Sequence, residues 1–478
     1  MVQFGTGGWR AIIGDEFTRA NLELLAEGFV RKLITEKKET DGIVIGYDRR
    51  FLSKESAIWI CQVFAGHNIP IWFVNRSSPT PLIMYHVMTM GYPYGMMVTA
   101  SHNPAIYNGV KVFTAGGRDA DEKQTADIES YIRQVEEEVK NGYQIPTMEY
   151  EKAVEEKLIL TCNPMNEYLD NILAAVDLKK IRERKLRVAL DPMYGVSYAA
   201  LQTILSTMRC DLEIIHGRHD TLFGGKLPAP TAETLRSLQT TVLDRGMDIG
   251  IATDGDADRL GVIDDTGRFL HPNDILVLLY YYLLKYKGWR GDAVRNIATT
   301  HTLDKVAESF GQHCHEVPVG FKHISAKMQE TDAIIGGESS GGLTVKGHIN
   351  GKDGIYAASL LIEMIAVTGK TLGEISKEIE SIYGNTYMEE TNFRFSKEDK
   401  ESIYETLMVK RELPDKEAIG FEIDHVSYED GCKVYFKNGG WIVARFSGTE
   451  PLIRIFCEME NRADAVRVCE VFRSFLGL

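Results

Sequence analysis

Apolar positions change their period repeatedly along the first third of the chain. Residues 20–35 and 53–66 carry apolar side chains at helical spacing, whereas 42–47, 69–74 and 94–98 are short, nearly continuous apolar runs. Helix and strand patterns that alternate in this way predict an α/β layered unit. A charged stretch at 119–157 is predicted to be helical and to end this unit as a connector. A strand at 186–190 opens a second alternating segment reaching about residue 265, and a third runs from about 267 to 383. The last stretch differs. Two strand-like runs, 433–436 and 441–446, flank Asn438-Gly439, a hairpin signal. A strand at 452–458 and an amphipathic helix at 462–476 complete a small α+β unit.

The chain has 478 residues, 44% apolar and 26% charged, a globular composition long enough for about three or four domains. Its most apolar stretch, 275–284, is ten residues long and holds three tyrosines, so it predicts a buried helix. A membrane span needs roughly 20 apolar residues. The opening MVQFGTGGWR lacks the apolar core of a signal peptide, and the seven cysteines form no Cys-x-x-Cys pair. A cytoplasmic protein with no membrane partner, either monomer or homodimer, is expected. A net charge of −14 argues against sequence-independent nucleic-acid binding. An acidic chain that binds phosphate must gather its positive groups in one place.

Four loops carry candidate chemistry. In "MVTASHNP" Ser101 and His102 follow the run 94–98, and Pro104 keeps the residue before it out of the helical region. Ser101 either caps a turn or is a nucleophile at the lip of a sheet. In "DGDADR" three carboxylates, Asp254, Asp256 and Asp258, alternate with small residues and can converge on one hard cation. A calcium-binding helix-loop-helix is excluded, because its sixth position needs glycine and is Arg259, and its twelfth needs glutamate and is Asp265.

"RFSGTEP" offers the Arg445 guanidinium, the Ser447 and Thr449 hydroxyls and Gly448, an anion cradle or else a Ser/Thr turn. "GGESSGG" offers Glu338 and Ser340 among four glycines, suited to neighbouring sugar hydroxyls. "VGFKH" adds Lys322 and His323, and "GTGGWR" adds Arg10 on a loop expected to be flexible. Together the loops supply a hydroxyl nucleophile, a cation site, a sugar-reading pair and a phosphate clamp. Phosphoryl transfer needs that set, because its catalysis is mostly positioning and charge neutralisation.

"TASHNP", "DGDADR", "GESSGG" and "RFSGTEP", in this order, resemble the four signature loops of the α-D-phosphohexomutase family, which includes phosphoglucomutases and phosphomannomutases. The resemblance implies three related α/β domains with mixed sheets, at 1–150, 151–266 and 267–385, and a smaller α+β domain at 386–478, around a central cleft. It implies that Ser101 carries the phosphoryl group and that Asp254, Asp256 and Asp258 hold one Mg²⁺ with a phosphoserine oxygen. It implies that Arg259, Lys111 and His102 surround the phosphoryl group, with Lys111 a candidate proton shuttle. Glu338 and Ser340 then contact sugar hydroxyls, and Arg445, Ser447, Gly448 and Thr449 clamp the distal phosphate. Arg10, Lys322 and His323 line the path of the sugar phosphate.

The implied reaction interconverts hexose 1- and 6-phosphates, glucose first and mannose second, through glucose 1,6-bisphosphate. Phosphoglucosamine and pentose phosphates are alternatives, since many hexose-specific members close the sugar loop with a histidine where this chain has Gly342. A haloacid-dehalogenase-like phosphatase would use residues 254–258 but expects Thr or Val at position 258 and leaves Ser101 idle. A sugar-phosphate sensor without turnover is the non-enzyme reading.

Overall fold

A computed structural model describes residues 2–5, 8–447 and 452–478. They form two compact units, one of residues 1–275 with 340–373 and the other of 276–339 with 374–478.

The first unit holds two mixed sheets. In the N-terminal sheet the fully buried strand Tyr94–Val98 lies between Ile43–Tyr47, to which it is parallel, and Tyr107–Thr114, to which it is antiparallel. Ile71–Val74 and Ile159–Cys162 extend the parallel side. Trp9–Ile12 pairs antiparallel with Tyr107–Thr114 on the other side. Arg10 therefore stands on a strand, opposite Gly109, rather than on a flexible loop. Stacking of buried Trp9 on Phe17 (ring centroids 5.5 Å apart) anchors that strand. A Cβ at position 109 would come within 2.1 Å of the Trp9 carbonyl oxygen, so glycine permits the pairing.

The second sheet of this unit runs Phe269–Leu270, Leu260–Asp264, Ile249–Thr253, Arg187–Asp191, Asp211–Ile214. Its three central and outer strands from Ile249–Thr253 onward are parallel and the other pairings antiparallel. The charged connector is two helices, Glu122–Lys140 and Tyr150–Glu155. Gly142, at φ +98°, and Pro146 interrupt the helical pattern between them.

In the second unit three parallel strands, Ala293–Asn296, Cys314–Val317 and Ile335–Gly337, lie side by side. The strand Ile335–Gly337 contains two glycines, and Gly336 passes close to helix Phe321–Thr331. A Cβ there would sit 2.5 Å from Ile324 and Met328. The C-terminal sheet is antiparallel in the order Tyr387–Arg394, Leu452–Met459, Trp441–Phe446, Cys432–Phe436, Ile423–Ser427, with helix Arg462–Phe475 packed on it.

Lys433, 1% exposed, ties this sheet to the parallel one. Its ammonium donates to Ile297 O (2.7 Å) and Glu316 Oε2 (2.6 Å) and stands 4.3 Å from the Trp441 ring centroid. Among the described residues no single helix is long and apolar enough to cross a membrane.

Candidate active site

Ser101 lies three residues beyond the end of strand Tyr94–Val98, and its backbone is left-handed, at φ +51°. For a side chain other than glycine this conformation costs on the order of 1 kcal/mol. Neighbouring groups hold it there. The Ser101 amide donates to Thr99 Oγ1 (2.9 Å), and Thr99 Oγ1 donates to Asp48 Oδ2 (2.6 Å) at the end of the next strand. The Arg50 guanidinium gathers the whole turn, donating to the carbonyl oxygens of Ser101 (2.7 Å), Asn103 (2.7 Å), Pro104 (2.9 Å) and Tyr107 (3.1 Å). Four outward-turned carbonyls on one buried cation fix the turn that presents the hydroxyl.

Ser101 Oγ donates to Asp254 Oδ2 at 2.6 Å and stands 3.3 Å from His102 Nδ1. Burial, together with the positive charges of Arg259 and Arg10, holds the His102 imidazole well below its usual range, so it is neutral.

Asp254, Asp256 and Asp258 sit in the turn between Ile249–Thr253 and Leu260–Asp264, all buried, with one oxygen from each within 4.8 Å of the others. Ala257 takes φ +67° to curl the loop. Gly255 packs so closely on the Ser101 turn that a Cβ would lie 2.6 Å from Ser101 O. Lys111, from the strand antiparallel to Tyr94–Val98, puts its ammonium 2.7 Å from both Asp256 Oδ2 and Asp258 Oδ2. Thr80 Oγ1 also donates to Asp256 Oδ2, at 2.6 Å.

Burial, then the like charges of Asp256 and Asp258, push the Asp254 carboxyl up to about 8. Burial also acts against ionisation of Asp256 and Asp258, but the Lys111 charge overrides it and holds both below the usual carboxylate range. Burial opposes the Lys111 ammonium in turn, and the two carboxylates stabilise it. Asp256 Oδ1 and Asp258 Oδ1 are buried with no hydrogen-bond partner. Two orphaned carboxylate oxygens beside a third carboxylate and a hydroxyl are the donor set a hard divalent cation takes.

Further positive groups stand in the same unit. Arg10 Nη1 donates to Asn103 Oδ1 (2.7 Å), and Arg259 Nε is 3.9 Å from Asp258 Oδ1. The loop bearing Ser340 is bound to the Arg259 segment, because Leu260 N donates to Gly341 O (3.2 Å) and Arg259 bridges Gly342. In the second unit, Glu338 Oε1 accepts from Gly320 N (3.2 Å) at the start of helix Phe321–Thr331, whose first turn carries Lys322 and His323. Arg445 Nε donates to both carboxylate oxygens of Asp430, at 2.8 Å each. Ser447 N donates to Leu452 O (2.9 Å), closing the base of its loop, and Gly448 and Thr449 lie outside the described residues.

Four family profiles match the chain in order. They are described as phosphoglucomutase/phosphomannomutase α/β/α domains I, II and III, at residues 1–139, 166–267 and 271–383, and the C-terminal domain of that family, at 390–474. A Methanothermobacter thermautotrophicus protein named "probable phosphoglucosamine mutase" is 31% identical over 99% of this chain and 97% of its own. The chain belongs to the phosphoglucomutase/phosphomannomutase family.

A Thermococcus kodakarensis protein named phosphoglucomutase/phosphomannomutase is 28% identical over 98% of this chain and 97% of its own. A crystal structure from Thermus thermophilus, solved under a phosphomannomutase name, superposes with a TM-score of 0.83 at 29% identity. That match covers 100% of this chain and 99% of that one. The chain is thus a phosphotransferring mutase of carbohydrate metabolism.

Among the residues that sequence reasoning missed are Arg50, Thr80 and Lys352, whose ammonium is 3.0 Å from Asp258 Oδ2. Lys352 precedes Asp353, which caps helix Gly354–Thr368 by accepting from the amides of Ile355 (2.8 Å) and Tyr356 (3.0 Å). Gly354 abuts the metal loop, since a Cβ there would meet Arg259 O at 2.6 Å. The string "GKDG", a cap between glycines with a lysine beside it, was the available signal.

Proposed function

We propose that this mutase interconverts hexose 1-phosphate and hexose 6-phosphate by way of a phosphoryl group carried on Ser101 Oγ. The observation that carries the reading is the 2.6 Å hydrogen bond from Ser101 Oγ to Asp254 Oδ2, made by a left-handed serine at the end of a buried strand. It aims the hydroxyl at the acidic loop and leaves its lone pairs for phosphorus.

In the first half-reaction the 6-oxygen of hexose 1-phosphate attacks the phosphorus on Ser101. The P–Oγ bond breaks, and the proton lost from the 6-hydroxyl is restored to Oγ, where Asp254 accepts its hydrogen bond. The bound 1,6-bisphosphate turns end for end, and Ser101 Oγ then attacks the 1-phosphoryl group while the sugar oxygen leaves with the proton.

Lys111, Arg259, Arg10 and Lys352 supply positive charge, and His102, neutral, supplies a hydrogen-bonding nitrogen beside Oγ. Lys111, stabilised as an ammonium by two carboxylates, acts as a fixed charge and hydrogen-bond donor rather than as a base. One Mg²⁺ per chain, held by Asp254, Asp256, Asp258 and a phosphoserine oxygen, would neutralise phosphoryl charge as a Lewis acid. Glu338 and Ser340 read hydroxyls that exchange places when the sugar turns. Arg445, Ser447, Gly448 and Thr449 hold the phosphate not in transfer, and Lys322 and His323 assist.

Glucose is the proposed sugar, with mannose also turned over and glucose 1,6-bisphosphate as the priming compound. Phosphoglucosamine is the second reading, favoured by the name of the relative at 31% identity. Phosphosite mapping of the purified protein tests the nucleophile: phosphate on Ser101 supports it, and phosphate on Asp254 replaces it with an aspartyl phosphatase. Comparing kcat/KM for the 1-phosphates of glucose, mannose and glucosamine tests the sugar. A preference for glucosamine beyond about 100-fold, more than one loosely fitted contact supplies, would transfer the assignment to the second reading.

A further inference from the structure

Two carboxylates meet on one short peptide of the second unit. The amides of Val319 and Gly320, adjacent at the head of helix Phe321–Thr331, are held separately: Val319 N donates to Asp430 Oδ2 at 2.8 Å, and Gly320 N donates to Glu338 Oε1 at 3.2 Å. Asp430 takes the Arg445 Nε on both oxygens at 2.8 Å as well. A continuous run of charge-assisted hydrogen bonds thus leads from the arginine of the phosphate loop, through Asp430 and one peptide, to the glutamate of the sugar loop.

The backbone is shaped for this. Asp430 stands in the turn between Ile423–Ser427 and Cys432–Phe436, and the next residue, Gly431, has φ +97°. A Cβ on Gly431 would lie 2.5 Å from Ala444 O and 3.1 Å from Arg445 Cα. Only glycine brings this turn against the Arg445 backbone, where an aspartate side chain reaches both Nε and the Val319 amide.

We infer that Asp430 is a positioning residue that couples the Arg445 phosphate clamp to Glu338. The inference rests on the roles proposed above for Arg445 and Glu338. Binding through Nε fixes the plane of the guanidinium, and hence the direction in which its terminal nitrogens meet an anion. Because the same carboxylate anchors Val319, a shift of Arg445 onto phosphate moves the Val319–Gly320 peptide and the acceptor bound to it. Glu338 is then set for hydroxyls only when a phosphate is engaged, whichever end of the bisphosphate occupies the clamp. A free hexose, lacking the phosphate, is penalised at the sugar loop as well as at the clamp.

The test is a double-mutant cycle on two residues that bind adjacent amides, Asp430→Asn and Glu338→Gln, reading kcat and KM for glucose 1-phosphate with the melting temperature of each variant. Asp430→Asn is expected to raise KM roughly 10- to 100-fold, the range for loss of one charge-assisted contact. The double variant should lose at least fivefold less in kcat/KM than the product of the single losses, since separated, independent sites behave additively. Additive losses within twofold overturn the coupling. Should Asp430→Asn unfold the chain, Arg445→Lys, which keeps the charge but lacks Nε, takes its place in the cycle under the same criterion. An inactive parent protein would count against the proposed reaction itself, a result the cycle distinguishes from additivity.

Discussion

Lys352 reaches Asp258 by lying across Gly342. Its ammonium is 3.0 Å from Asp258 Oδ2, and its Cδ is 2.2 Å from where a Cβ at position 342 would stand. The missing side chain at Gly342 and the extra cation beside Asp258 are one feature. Gly342→Ala is expected to displace the lysine rather than unfold the chain, because a flexible stem gives way at low cost. Its loss in kcat/KM should match that of Lys352→Met, at roughly 10- to 100-fold for a charge-assisted bond. Adding Gly342→Ala to Lys352→Met should then cost less than about twofold more, as read by steady-state kinetics on the three variants.

Arg50 is predicted to matter as much as Ser101 itself. Arg50→Met strips four carbonyl oxygens of their donor and leaves Asp48 buried without its counter-charge. Removing one member of a buried pair costs about 3–5 kcal/mol. The melting temperature should fall by several degrees and phosphorylation of Ser101 by glucose 1,6-bisphosphate should slow at least about 100-fold, followed by mass spectrometry. A variant that melts with the parent and is phosphorylated at the parent's rate would remove Arg50 from the turn's support.

The acidic loop is expected to make activity depend on a divalent cation. Chelation with EDTA should silence the enzyme and Mg²⁺ should restore it. Asp256→Asn, which removes an anionic oxygen and weakens the hold on Lys111, should raise the Mg²⁺ concentration for half-activity at least about tenfold. A Mg²⁺ titration of both proteins checks this.

Lys433 gives the second unit a pH signature. Burial, then the Arg295 charge, pushes the Lys433 ammonium down to about 7 from the usual 10.5. Between those values the unfolded chain binds a proton the folded chain lacks, so this group makes stability rise with pH, by at most about 1.4 kcal/mol per pH unit. Below pH 7 both states are protonated and the contribution is flat. The melting temperature of the parent should therefore gain on that of Lys433→Met between pH 7 and 9.5. A gap that stays constant over that range would show that the ammonium keeps its proton.

What the sequence determined by itself was local. The runs at 94–98 and 441–446 reappear as the strands Tyr94–Val98 and Trp441–Phe446, because period and turn residues act over a few positions. The three aspartates were legible for the same reason: residues two apart in one tight loop must converge. Lys111 shows where that reach stops. Its place between Val110 and Val112 says that it faces away from them, but not that it meets Asp256, 145 positions along the chain.

Tertiary structure alone decided that partner, and likewise Arg50 on the Ser101 turn, Lys352 on Asp258 and Asp430 between Arg445 and Val319. Each depends on which strands neighbour one another and in what register, and a one-residue slip of a strand turns every side chain to the opposite face. Glycines 109, 255, 342, 354 and 431 record those encounters in the sequence, since each stands where another part of the chain would meet a Cβ. A glycine shows only that something comes close, and what comes close is settled by how the whole chain packs.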